Sequence, residues 1–538
     1  MMSLAIATFR NKMDREEREW STRLVTSLLA SALVWCVVVG LALLSTHLAI
    51  SLKSRPPTPI TILIPTAWGV LSVLAAKFAK VFSVRAFNSI RWKRVLFLLA
   101  PPFFLIGLLL GVDLTTAWSL LSYEKTAQWT GCGLLGLFGG MAALFVMSGW
   151  MLDPNEFSLH GFYRDRIVRC FLGASNADTL APDSVWNIKT DDLHLTCLKE
   201  SITQGAPFHI INSAVNLFGS KSLKVRQRNC DNFILTPTSS GSRVTNYIDT
   251  PDSLYLGTAC AISGAAVGSG MGLATQGAGL AALMTIFNVR LGYWFENPKA
   301  VKNENKKLKM KGHEHPSRKE RWKRPGFSPL FLMAEAFSLT NEERNFVNLS
   351  DGGHFDNLGL YELIRRRCKF IIVVDSEHDP NYNFTSLGEV IRLARIDFGI
   401  EIKIDLKQIA PSKETTTYAS GHFALGEIDY SAYSGNEYSK KGASHLGETQ
   451  KGTLLYIKST LLPADRCAHI SSDVLEYAKS HPDFPHDSTA DQFFSEAQFE
   501  SYRKLGECIA ENVFGRLRPN YSDIEDIISE LKQLREKS

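Results

Sequence analysis

Residues 350–375, SDGGHFDNLGLYELIRRRCKFIIVVD, decide the reading of this chain. Phe346–Leu349 ahead of them reads as a strand, and Gly352-Gly353 places Asp351 on a turn. From His354 to Cys368, Leu360, Leu363 and Ile364 share one helical face, and Arg365, Arg366 and Arg367 end the helix where cations suit its dipole. Phe370–Val374 (FIIVV) follows as a buried strand. Further on, residues 400–406 (IEIKIDL) alternate apolar and charged side chains as a half-exposed strand does, and Leu454–Ile457 reads as another strand. Strand, helix and strand in succession predict an α/β fold with a parallel or mixed sheet.

Asp351 has two readings on this turn. As a helix N-cap, its carboxylate accepts backbone N–H bonds and stabilises by about 0.5 to 2 kcal/mol. As a general base, it takes the proton of a nucleophile while Gly352 and Gly353 admit a neighbouring loop.

The chain has 538 residues, of which 45% are hydrophobic and 21% charged, so it is not a disordered or collagen-like polymer. A formal net charge of +5 is too small for its length to indicate a nucleic-acid partner. The nine cysteines are scattered, with no CxxC pair, and read as reduced thiols. Gly264–Gly279 lacks the strand and GxGxxG of a dinucleotide site. P-loop and HExxH motifs are also missing from the sequence, so no cofactor or metal is expected.

Residues 24–52, 56–76, 95–112 and 126–152 contain no Asp, Glu, Lys or Arg, and about 20 apolar residues suffice to cross a bilayer. They predict about four transmembrane helices within 23–152, after a basic arm at 1–22. Arg10, Lys12, Arg15, Arg18 and Arg23, with the basic loop between Lys77 and Arg94, set the N-terminus and the C-terminal domain in the cytoplasm of a multi-pass membrane protein. Beyond the membrane segment, 153–410 reads as the α/β region and 411–538 as an α/β extension with a charged surface helix. Within the former, the 299–324 loop is basic: Val301–Arg324 holds ten Lys or Arg against three Glu, and it suits an anionic lipid surface. Near the C-terminal end, Thr489 with Gln492 forms a capping box that begins a helix.

The 350–375 segment resembles the aspartate block of the patatin-like phospholipase family, in particular its large bacterial membrane-anchored subgroup. FSLHGFYRDRIVR (157–169), PFHIINSAVNL (207–217), LGTACAISGAA (256–266), IFNVRLGYW (286–294) and residues 482–505 agree with that subgroup in the same order. The resemblance implies a patatin-like α/β fold, an incomplete three-layer α/β/α sheet preceded by the transmembrane segment. It implies a lipid acyl hydrolase of the bacterial inner membrane with a Ser-Asp dyad and membrane lipids as substrate. Asp351 matches the dyad aspartate, with Gly352, Gly353 and His354 shaping its turn.

The family's GxSxG nucleophile and its oxyanion loop do not occur in this sequence. Ser263, in an AxSxA setting, is a substitute nucleophile. The alternative is that nucleophile and oxyanion loop come from a separate N-terminal lobe, in which case the sheet has open strand edges. A catalytically inactive membrane scaffold is the competing reading. His209, His354 and His378 read as structural histidines, since the dyad uses none.

Overall fold

A computed structural model describes scattered residues between 139 and 150, then 153–155, 158–173, 192–268, 290–310, 325–411, 418–431, 451–463, 469–488, 491, 494–515 and 524–537. The chain divides into two units, Met1–Leu152 with Gly277–Ile286, and Asp153–Gln276 with Phe287–Ser538. All elements named below belong to the second.

Among the described residues, ten strands form two sheets. β1 (Ile211–Asn216), β2 (Cys230–Leu235), β3 (Ser239–Ser242), β4 (Asn246–Asp249), β5 (Tyr293–Glu296) and β6 (Phe346–Asp351) make a six-stranded sheet in the order β4-β3-β2-β1-β6-β5, antiparallel throughout. β7 (Phe370–Asp375), β8 (Glu401–Ile404), β9 (Phe423–Asp429) and β10 (Lys451–Lys458) make a four-stranded sheet in the order β7-β10-β9-β8. β7 and β10 are parallel, and the other two pairings are antiparallel.

Helix α1 (Leu159–Ile167) and α2 (Leu256–Ser263) serve the first sheet. α2 buries Thr258, Ala259, Ala261 and Ile262, and Gly257 within it meets Asp192 and Val168 so closely that a Cβ has no room. Its small residues therefore pack helix against sheet. Leu217, Phe233, Leu235, Phe295, Val347 and Leu349 form the core on that side. After α3 (Ser328–Ala336), the chain leaves β6 through a 3₁₀ turn at Gly352–His354 and α4 (Leu360–Arg365) and enters the second sheet. There α5 (Thr385–Phe398) buries Leu387, Val390, Leu393, Ala394 and Phe398, an i, i+3, i+4 stripe, and ends at Gly399 with φ +72°. α6 (Ser472–Ser480), α7 (Glu496–Phe514) and α8 (Ile524–Lys537) follow.

Several expectations need correction. The fold is α/β, but its strands lie in two separate sheets, one wholly antiparallel, and not in a single incomplete three-layer α/β/α sheet. The four-helix transmembrane segment, and with it the multi-pass inner-membrane location with cytoplasmic termini, is not upheld: no helix among the described residues is long and apolar enough to cross a membrane. The 19-residue α7 shows why, since Glu496, Glu500, Arg503, Lys504, Glu507 and Glu511 interrupt it. The first three proposed spans lie outside the described residues, as does most of the fourth.

The helix expected over His354–Cys368 is shorter, because Gly359 enters with φ +65° and Arg367 leaves with φ +54°. The basic segment begins as a helix, Pro298–Met310, and residues 311–324 lie outside the described ones. α7 is capped by Ser495, whose hydroxyl accepts from Gln498 N at 3.1 Å, and not from the Thr489 position, which is outside the described residues.

Candidate active site

Asp351 is the last residue of β6, opposite Ser213 of β1. Its backbone N–H donates to the Ala265 carbonyl at 3.2 Å, which ties the turn to the segment just after α2. Its Oδ1 accepts from Gly353 N at 2.7 Å, the N-cap arrangement of the 3₁₀ turn. No hydrogen bond reaches Oδ2 among the described residues. Burial pushes the Asp351 carboxyl above its ordinary 3.8, and the Gly353 N–H opposes that rise.

Gly352 is dictated by close approach: a Cβ there would stand 2.8 Å from the Asn212 carbonyl oxygen of the neighbouring strand β1. At Gly353 a Cβ would run into Asn357 Oδ1. Asn357 in turn donates to Glu377 just after β7 at 2.6 Å, so the turn is tied to both sheets.

His354 is buried, with Nδ1 2.9 Å from Ser350 Oγ. Burial lowers its imidazole to about 4, against the Ala266 backbone, which raises it. The imidazole is therefore neutral near pH 7. Ser350 also accepts from Asn216, which donates to Asn348, and Asn348 reaches Glu335 at 3.4 Å. Glu335 holds the fully buried Arg290 at 3.1 Å and the Trp294 indole N–H at 2.6 Å. His354 thus ends a buried polar network behind the turn, a structural role. His378 has one as well, its Nδ1 2.5 Å from the His486 carbonyl oxygen.

Ser263 is the last residue of α2, two residues before Ala265. Sequence and fold bring it to the same region as Asp351, but among the described residues no hydrogen bond joins its hydroxyl to the carboxylate.

Two residues escaped the sequence reading. Tyr163 of α1 puts its hydroxyl where a Cβ on Gly264 would be 2.5 Å away. Burial raises its pKa, and the charges of Asp351 and Cys260 add to this. Tyr163 lies within FSLHGFYRDRIVR (157–169), yet nothing in its spacing links it to a turn 188 positions away. Asp356 is the second. Its carboxylate accepts from Leu358 N and Tyr361 N at 3.0 and 2.7 Å and so fastens the start of α4. Burial lifts it to about 6, and those N–H groups pull it back.

Among the described residues no group of three or more His, Cys, Asp and Glu is arranged to hold a metal ion. A groove of 790 Å³ is lined by Lys403, Glu427, Lys451 and Lys532 among others, none of them from the Asp351 turn. No family model matches the chain, and no curated protein matches it.

Proposed function

We propose that this unit supplies the carboxylate of a serine acyl ester hydrolase acting on lipid esters, with Asp351 as general base. The observation that carries the reading is the Asp351 carboxylate itself: it is half-buried, one oxygen is held by Gly353 N–H, and the other is unclaimed among the described residues. The resemblance of residues 350–375 to the aspartate block adds to it. In the reaction, Asp351 takes the serine proton as the hydroxyl attacks the ester carbonyl, and the alcohol leaves with that proton. It then takes a proton from the attacking water and returns it to the serine oxygen as the acid leaves. The serine comes either from Ser263, after a shift that closes the distance, or from outside the described residues.

A second reading, a binding protein without catalysis, is favoured by one observation: the hydrogen bond that Asp351 does make is an N-cap bond and not one to a serine hydroxyl. A fluorophosphonate probe separates the two. Labelling of the full chain that is lost in Asp351→Asn supports the hydrolase, and Ser263→Ala reports whether Ser263 is the labelled residue. Wild type that stays unlabelled even when a separate nucleophile lobe is added supports the binding protein.

A further inference from the structure

His422 and His469 meet at their Nε2 atoms, 2.8 Å apart, with their rings at 86°. His422 stands just before β9 and is 2% exposed, and its Nδ1 lies 2.7 Å from Thr460 Oγ1. Thr460, just after β10 and fully buried, donates its hydroxyl proton to the Gly421 carbonyl at 3.2 Å. Toward His422 its oxygen therefore acts as the acceptor. The His422 proton is thus on Nδ1, and the Nε2 lone pair is directed at His469. An imidazole whose second nitrogen is oriented by a hydrogen bond, with its lone pair facing another imidazole, has the construction of a metal-ligating histidine.

We propose that His422 and His469 bind one divalent transition-metal ion, Zn²⁺ or another ion that favours imidazole, between their Nε2 atoms. Imidazole nitrogens lie about 2.0 to 2.1 Å from zinc, and two of them at a tetrahedral angle are about 3.3 Å apart. The pair opens by about 0.5 Å to admit the ion. In the bound form His469 carries its proton on Nδ1, so a neutral His469 moves its proton from Nε2 to Nδ1 through solvent and none is lost. A cationic His469 releases one proton. Two protein ligands make an open site, and its remaining positions fall to water or other donors. The site shares no residue with the Asp351 turn and does not depend on the hydrolase reading.

The test uses the full chain, stripped with a chelator and titrated with Co²⁺ as a visible-absorption reporter, then with Zn²⁺ in competition. One equivalent of Co²⁺ with d–d absorption, displaced by Zn²⁺ and bound at least tenfold more weakly by His469→Ala, is the expected result. His469 is only half-buried, so this variant decides the matter even where His422→Gln does not fold. Wild type that binds no Co²⁺, or His469→Ala that binds it equally well, overturns the proposal and leaves a pair that shares a proton.

Discussion

The Lys458 ammonium lies 2.9 Å from the Asp375 carboxylate, and each side chain is only 1% exposed. Asp379 is 3.5 Å from the same nitrogen, and the Tyr456 hydroxyl also donates to Asp375. These groups sit at the carboxyl ends of the parallel strands β7 and β10 and lock that end of the sheet. Lys458→Met leaves two carboxylates buried without their cation, and breaking such a pair costs about 3 to 5 kcal/mol. Urea denaturation of the full chain should show a loss of that size, and a loss under about 1 kcal/mol would mean that water reaches the carboxylates.

Gly352 is held against the Asn212 carbonyl oxygen, a backbone atom that cannot swing aside. Gly352→Ala should therefore destabilise by about 1 to 3 kcal/mol. The same variant should displace Asp351, so fluorophosphonate labelling falls with it. Wild-type stability and labelling in Gly352→Ala would show that the turn is roomier than its contacts imply.

His354 gives stability a pH dependence of known sign. Its folded value is about 4 and its ordinary value 6.5, so between these the unfolded chain binds a proton that the folded chain does not. The contribution is complete above pH 6.5 and is lost as the pH falls toward 4. In His354→Gln this part of the slope disappears, while His160, lowered to about 4 chiefly by burial, retains its own. Denaturation midpoints at pH 7 and pH 5 measure it, and equal slopes in the two proteins would refute it.

Ser495 caps α7 through Gln498 N. Ser495→Ala should cost about 0.5 to 2 kcal/mol. Thermal unfolding followed by circular dichroism reads this directly, and an unchanged midpoint would place the start of the helix elsewhere.

Much of the fold was legible where periodicity is local. The alternation in residues 400–406 gave β8, though only over Glu401–Ile404; FIIVV became the body of β7, half-exposed at Ile372 and Val374 and not buried throughout as expected; and Leu454–Ile457 lies inside β10. The glycine turn at Asp351 was legible for the same reason. What could not be read depends on distant pairing. β6 finds β1 across more than a hundred residues, and that antiparallel match is what separates the strands into two sheets. Tyr163 reaches the site only because α1 packs on α2. The buried chain from Arg290 to His354 joins residues whose types, read singly, suggest surface. At Thr489 the capping pattern was real as a motif, but Ser495 with Gln498 offers the same pattern six positions later and adjoins the apolar face.

The strand order β7-β10-β9-β8 has a consequence for the chain as it is made. β7 ends at Asp375, whereas β10, its neighbour in the sheet, begins at Lys451. A ribosome delivers β7 and β8 long before the strand that must separate β7 from β9. Until Lys458 emerges, Ile371 and Val373 have no sheet to complete, and the Asp375 carboxylate waits for its cation. Ile372 and Val374 stay 44% and 69% exposed even in the finished fold, so the nascent strand is apolar on both faces. Protection of β7 during synthesis therefore falls to α5, which follows it at once and can cover one face, or to whatever chaperone meets the chain at the tunnel exit.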